Sequence, residues 1–444
     1  MRIAVVGAGP TGLFAAIALA RRGHAVTVVD RDPGPHPDGS WPRVGVMQFH
    51  HPHAFRGPVV DALSAEMPEV VDALLAAGAE PVQVTPDAVA GLRCRRMVFE
   101  RVLRAAAAAE PGVELLRGHA EEVLAERGRA AGLRVDGRPL GADLVLDASG
   151  RSGRIGRGLR APAEGGDCGQ AYVSRQYRLR PGAEFGPLTM PIAGVAYYPG
   201  YAAIAFPHDN GVFSAVVMRS GDDRALTGLR GTAAFDAVAA AVPLLAAWTD
   251  PARSTPLTGV LPGGRLHNTW CGQLDDRGEV PLPGLVFVGD TVCTTNPSAG
   301  RGITTSLLQV RRLLALLAEH PGDPESLTRA LDAWNTAHVR PWFDDHVACD
   351  AGLAARWAGA DVDLDAPLPS DLIGAAAAVD PSMMAVVGPY LAMQSLPAAL
   401  AEVEPRAREV YATGWRPPVP DGPTRDELVE LVTRAAGDRA GVPG

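Results

Sequence analysis

The spacing of apolar positions changes along the chain, and each change marks a different kind of element. Residues 2–6, Arg-Ile-Ala-Val-Val, form a short apolar run ending in Gly7-Ala8-Gly9-Pro10-Thr11-Gly12. A helix-periodic stretch follows from Leu13 to Arg22 and stops at Gly23. Ala25–Val29 is a second, β-branched run closed by Asp30. This order predicts strand, glycine turn, helix, strand: the opening of a βαβ unit. Arg31 to Pro52, rich in Pro, Gly and His, predicts a long loop. Helices are expected near 54–66, 69–77 and 96–109. Strands are expected at 113–117, 120–125, 133–136 and 144–147.

Beyond residue 167 the period shortens. Runs at 170–179, 193–198, 201–206 and 211–218 predict an antiparallel sheet with one covered face, followed by a helical piece over 232–248. An apolar strand returns at 284–288, and a long helix is expected over 300–319. From there the chain reads as mostly helical, with Pro-rich breaks near 365–369 and 416–423. Asp323 suits an N-cap with Pro324 at the first helical position. Thr424 with Glu427 suits a capping box. The expected fold class is α/β: a Rossmann-like nucleotide-binding domain in two parts (1–165 and 265–322), an inserted antiparallel-sheet substrate domain (166–264) and a helical C-terminal region (323–444).

Composition narrows the function. Among 444 residues, 50 are acidic and 41 basic, for a net charge of −9, which argues against a general nucleic-acid binder. Every basic residue is Arg; the absence of Lys excludes Schiff-base and pyridoxal chemistry. The 5 Cys are scattered without a CxxC pair, so neither a disulfide framework nor a zinc site is expected, and a cytoplasmic, reducing setting fits. No apolar run approaches a membrane span of about 18 residues. The stretch Leu13–Ala20 follows a glycine turn and does not suit a signal peptide.

Three strand-end motifs carry the chemistry. In the first, Gly7 permits a tight turn, Gly9 lets backbone approach a pyrophosphate, and Gly12 lets helix pack on strand. Pro10 and Thr11 open the helix, whose N-terminus favours phosphate. Asp30, and Arg31 beside it, end the second strand where ribose hydroxyls would lie. The second motif is Asp147-Ala148-Ser149-Gly150-Arg151-Ser152-Gly153-Arg154. The third is Gly289-Asp290, followed by Asn296-Pro297-Ser298-Ala299-Gly300-Arg301-Gly302-Ile303. There a loop opens a helix whose dipole suits the N1–C2=O edge of a reduced flavin.

In order and spacing these three motifs resemble the FAD-dependent monooxygenases of the para-hydroxybenzoate hydroxylase superfamily, over roughly residues 1–320. Asp147 lies in a variant of that superfamily's usual Asp-Gly motif. This variant, with Arg43-Val44-Gly45-Val46-Met47-Gln48 and His50, His51 and His53, is most similar to the branch containing polyether epoxidases and actinobacterial tailoring oxygenases. Met47 stands where that branch has Pro. The resemblance implies that Arg43, Gln48 and Arg96 contact FAD. It also implies that one oxygen atom from O2 reaches a small organic, secondary-metabolite substrate through a C4a-hydroperoxyflavin. Electrons would come from NAD(P)H visiting transiently, since no second nucleotide motif follows, or from a partner flavin reductase. The alternative is a flavin reductase or dehydrogenase on the same fold, to which Tyr197-Tyr198-Pro199-Gly200-Tyr201 bears a faint likeness; a non-enzymatic flavin protein is a remote third reading. Halogenation as in the related flavin halogenases is not expected, because those enzymes direct hypohalous acid with a lysine. The three histidines are read as holding the loop over the flavin, with proton transfer or covalent flavin attachment as the other options, and no metal is expected. Arg175, Tyr177, Tyr198, Phe206 and Trp270 are the expected substrate-pocket residues, with the sheet as roof and the 296–302 loop as floor.

Overall fold

The computed structural model describes residues 1–85, 88–151 and 153–440; Ser152 of the second motif lies outside them. The Arg2–Val6 strand is central in a five-stranded parallel sheet. Strands Leu144–Asp147 and Leu285–Phe287 lie on one side of it, and Ala25–Asp30 and Val113–Arg117 on the other. These strands read as continuous apolar runs because both faces are covered. On one face Ile3, Val5, Val26, Val28, Leu144 and Leu146 pack on helices Pro10–Ala20, Arg96–Ala109 and Gly302–Glu319. On the other, Ala4, Val6, Val145 and Phe287 pack with Leu133 and Val135 of an antiparallel meander, 120–141.

The insert is a six-stranded antiparallel sheet built around Gln170–Leu179, Gly194–Tyr198, Tyr201–Pro207 and Val212–Ser220. At its root, strand Glu164–Asp167 pairs with His267–Trp270, which also pairs with Cys293–Thr294, so the insert is seamed to the nucleotide domain.

The expectation of one covered face needs correction: both faces are buried. One packs on helices Thr232–Ala241 and Pro243–Thr249. The other packs against the 43–53 loop and against Leu353 and Trp357 of the tail. The single helix expected over 232–248 is broken, because Pro243 cannot donate its backbone N–H and begins a new helix instead. Strands Glu80–Thr85, Ala88–Arg93, Arg138–Gly141 and Glu164–Asp167 had no counterpart in the sequence reading.

The two capping expectations are met. The Asp323 carboxylate accepts from Ser326 N at 3.1 Å, and Glu427 accepts from Thr424 N at 2.7 Å. The last helix, Arg425–Ala440, folds back onto helix Thr232–Ala241 through Leu428 and Val432. Among the described residues no single helix is long and apolar enough to cross a membrane.

Candidate active site

The three motifs converge at the carboxyl ends of adjacent parallel strands. Gly7 adopts φ +101°, and a Cβ there would lie 2.6 Å from Ala148 O, so the first and second motifs touch backbone to backbone. A Cβ on Gly12 would lie 1.9 Å from Gly7 O, which fixes how closely helix Pro10–Ala20 meets its strand. A Cβ on Gly9 meets nothing within 4 Å: the turn is open on the side where a diphosphate would approach. Pro10 is buried at the helix start. Thr11 faces Gly289, whose added Cβ would be 3.1 Å from Thr11 Oγ1, joining the first motif to the third.

Asp30 accepts from Ala8 N at 2.6 Å and Asp32 N at 2.8 Å, which pins the strand end beside the turn. Arg43 comes in from the long loop. It is 7% exposed, donates to Ala8 O at 3.0 Å and lies 3.7 Å from Asp30. Its Nη1 has no hydrogen-bond partner among the described residues. A buried guanidinium N–H left unpaired is costly.

Glu100, fully buried, accepts from Arg96 Nε at 2.5 Å and lies 3.2 Å from Arg43 Nε, so one carboxylate links both arginines. Glu100 has no role in the sequence reading; its spacing four residues after Arg96 on a helix is the available signal. Arg31 reaches over Gly45, where a Cβ would lie 2.8 Å from Arg31 Nη2.

At the far end, Asp147 is buried and accepts from Ser149 N at 3.0 Å; burial pushes its carboxyl up, opposed by Ser149 and Arg160. Gly289, at φ +73°, donates to Gln309 Oε1 at 3.1 Å. Asp290 opens to solvent, yet protein surrounds it closely enough that burial raises its carboxyl, against the pull of Arg96 and Arg151. A Cβ on Gly302 would come 3.8 Å from Asp290 Oδ1, so this carboxylate stands at the N-terminus of helix Gly302–Glu319. Asn296 caps the loop by accepting from Ser298 N, Pro297 follows it, and Gly300 takes the left-handed conformation at φ +63° against Ala54. Ile303 packs into the core below.

Arg301 departs from the expectation of a cofactor contact. Its side chain turns into the tail, pairing with Asp345 and donating to the Tyr390 hydroxyl, with Trp342 at 4.7 Å.

The long loop is fastened to the sheet by a row of side chains on one strand. Asn296 Nδ2 donates to Gln170 Oε1 at 2.9 Å. The Tyr172 hydroxyl donates to Gln48 Oε1 at 2.8 Å, His51 Nδ1 lies 2.8 Å from Ser174 Oγ, and Gln176 Nε2 donates to His50 O at 2.8 Å. Burial lowers all three histidines: His51 to about 4, and His53, beside Arg96, well below its ordinary value.

The substrate residues require the main correction. Arg175 and Tyr177 do share a face, but it is the opposite one. Arg175 pairs with Asp236 at 2.5 Å, and Tyr177 stacks on Phe213 at 5.2 Å under the 232–249 helices. Tyr198 stacks on Tyr201 at 4.5 Å, and both hydroxyls donate to tail carbonyls, so the Tyr197–Tyr201 run serves packing. Trp270 is buried with Val292, Cys293 and Phe343 in the nucleotide domain. Phe206 alone of the five turns toward the loop, beside Ile204, Val216 and Met218. Two-residue alternation says which residues share a face, not which way that face looks.

Comparison with known proteins bears on the class. Residues 2–89 match the family model described as FAD dependent oxidoreductase. The chain is 43% identical over 60 residues to D-amino acid dehydrogenase 2 of Ralstonia nicotianae, and 41% identical over 58 residues to D-amino acid dehydrogenase of Rhizobium johnstonii. Each match spans only 14% of the relative's length, and 14% and 13% of this chain. Similar solved structures extend much further. The flavin-dependent brominase Bmp2 has a TM-score of 0.61 at 14% identity, covering 99% of each chain. The myxobacterial chondrochloren halogenase CndH has a TM-score of 0.60 at 17% identity, covering 100% of this chain and 98% of its own. PqsL of Pseudomonas aeruginosa, a probable FAD-dependent monooxygenase, has a TM-score of 0.59 at 17% identity, covering 81% and 98%. The fold is that of an FAD-binding flavoenzyme. Residues 2–89, which hold the glycine turn, are similar to the FAD-dependent oxidoreductase family.

Proposed function

We propose that this enzyme is an FAD-dependent monooxygenase that places one oxygen atom from O2 on a small organic substrate, nearest to the tailoring-oxygenase branch it resembles. The observation that carries the reading is that the sheet face bearing Ile204, Phe206, Val216 and Met218, packed with Leu353 and Trp357 of the tail, is tied to the third motif through the hydrogen bond from Asn296 to Gln170. Oxygen transfer needs a site that excludes water, and a buried apolar face tied to the motif supports that need. FAD, when bound, supplies the redox chemistry and the activation of O2.

The chain's own residues bind and orient. The Gly7–Gly12 turn and Arg43 would hold the diphosphate, Asp30 a ribose, and Asp290 a ribityl hydroxyl. The N-terminus of helix Gly302–Glu319 favours negative charge developing nearby. The unpaired Nη1 of Arg43 and the open space over Gly9 fit such a group. Electrons would come from NAD(P)H or from a partner reductase. The absence of lysine weighs against the halogenation carried out by two of the structural neighbours.

The test is turnover under labelled O2 with each electron donor: label in the product supports the proposal. Substrate oxidation without label indicates a dehydrogenase. Purified protein should be yellow and release FAD on acid precipitation. Asp290→Ala should weaken FAD binding by about one to two decades, the effect of losing a charged hydrogen-bond partner; an unchanged flavin titration would contradict the role given to Asp290.

A further inference from the structure

The loop that opens helix Gly302–Glu319 is tied to the tail at two points, and both ties end on consecutive residues of one tail helix. Arg301, in the loop itself, pairs with Asp345 and donates to the Tyr390 hydroxyl. That hydroxyl also lies 2.8 Å from Asp345 Oδ2 and 2.7 Å from Ser370 Oγ, so four side chains from separate tail segments and the loop meet in one buried network. Arg56, from the short strand Phe55–Arg56, donates to the loop carbonyl of Ala299 at 2.6 Å and to Leu391 O at 2.5 Å. Residues 299 and 301 of the loop are thus both fixed with respect to Tyr390 and Leu391, at the end of helix Met384–Leu391.

We infer that Asp345 and Tyr390 are positioning residues for the flavin-facing loop, acting through Arg301. This rests on the FAD reading of the third motif. The physical argument concerns where a charge sits. Arg301 immediately precedes the helix whose N-terminal N–H groups lie beside Asp290. A guanidinium there can follow either of two paths: into the tail, or over the cofactor. The tail supplies a carboxylate, a phenol and the Trp342 and Tyr390 rings at 4.7 and 5.1 Å, a set that suits a planar cation on every side. With Arg301 committed there, the backbone of Gly300–Gly302 is held in one conformation and its N–H groups keep one direction. The tail is thereby part of the cofactor site without touching the cofactor.

The adenosine end of the site, built from Gly7–Gly12, Asp30 and Arg43, shares none of these residues, which makes the inference separable. Apo-protein is titrated with FAD and, in parallel, with ADP, in the native chain and in Asp345→Asn and Tyr390→Phe; the visible spectrum of bound flavin is recorded. The expected result is an ADP affinity within two-fold of native in both variants. FAD affinity should fall roughly ten-fold or more in Asp345→Asn and less in Tyr390→Phe, consistent with loss of a charged against a neutral hydrogen bond. Bound flavin should show a displaced absorption band in both. Should Asp345→Asn fail to fold, Tyr390→Phe decides, since it removes one oxygen atom from a packed ring. An unchanged flavin band and FAD affinity in Tyr390→Phe overturns the inference, as does an ADP affinity that falls in step with FAD. Native protein that binds ADP but takes up no flavin would instead overturn the cofactor reading itself.

Discussion

The two faces of the six-stranded sheet do different work. On one, Val173, Tyr177, Tyr201, Phe213 and Val217 meet helices, whose backbone is already satisfied, and the contact is mainly apolar, with the Arg175–Asp236 pair at its edge. On the other, Gln170, Tyr172, Ser174 and Gln176 meet a loop with little regular structure, and each side chain carries a hydrogen bond into it or into the 296 turn. Gln176 satisfies a backbone carbonyl of the irregular loop, and the other three pair with its polar side chains or with Asn296. A strand that supports a loop therefore needs polar side chains where one that supports a helix needs apolar ones. Tyrosine serves on both faces, by its ring at 177 and by its hydroxyl at 172, so residue type alone does not tell them apart.

The contrast is open to breakage from the helical side first. Tyr177→Ala should cost about 3–5 kcal/mol of stability, as large-to-small changes of buried aromatics do. The spectrum of bound flavin should stay as it was, because the ring lies under the 232–249 helices. Urea melts paired with flavin absorbance check both halves. A shifted flavin band with little stability loss would mean the faces are assigned backwards.

The loop side should show its dependence on acid. His51 is buried and held to about 4, chiefly by burial. Its folded value lies below the unfolded one near 6.5, so between these pH values the unfolded chain binds more protons. The stabilisation is complete above about pH 6.5 and is lost as pH falls toward 4, a loss of about 3 kcal/mol for this residue. Denaturation at pH 7.5 and pH 4 measures it. His51→Gln should flatten the slope in part, since His53, His208 and His346 are depressed as well. A slope identical to the native one would remove His51 from this role.

The smallest effect sharpens the contrast within one residue type. Tyr172→Phe removes only the hydrogen bond to Gln48 and should cost about 0.5–1.5 kcal/mol, with a slight weakening of FAD binding by calorimetry. A loss as large as that of Tyr177→Ala would show that the ring, rather than the hydroxyl, matters on this face too.

Sequence reading worked where local pattern and structure have the same range. Helix Arg96–Ala109 and strands Val113–Arg117 and Leu144–Asp147 lie at their expected residues, because short apolar runs bounded by turns leave little freedom. It failed where partners are distant. Strand Glu164–Asp167, Glu-Gly-Gly-Asp, has no apolar residue and exists because His267–Trp270 pairs with it. The direction of Arg301 is set by residues 44 and 89 positions away. The inner row 170, 172, 174, 176 was visible as a period of two, but only contact with residues 48–51 tells which way it points. The strand-end motifs were legible because their glycines are required by backbone contacts at Gly7 and Gly12 whatever lies further away.

The return of the last helix to the middle of the chain has a consequence for biosynthesis. Arg425 pairs with Asp223, 202 residues earlier, and the Tyr201 hydroxyl donates to Pro423 O across 222 residues. At translation rates of about 5–20 residues per second, the ribosome delivers Leu428 and Val432 roughly 10–40 s after the helix they cover. Throughout that interval Leu226, Leu229 and Phe235 wait without their final neighbours. The nascent chain therefore has a window of exposure in its centre, and holding chaperones should engage it there until helix Arg425–Ala440 closes it.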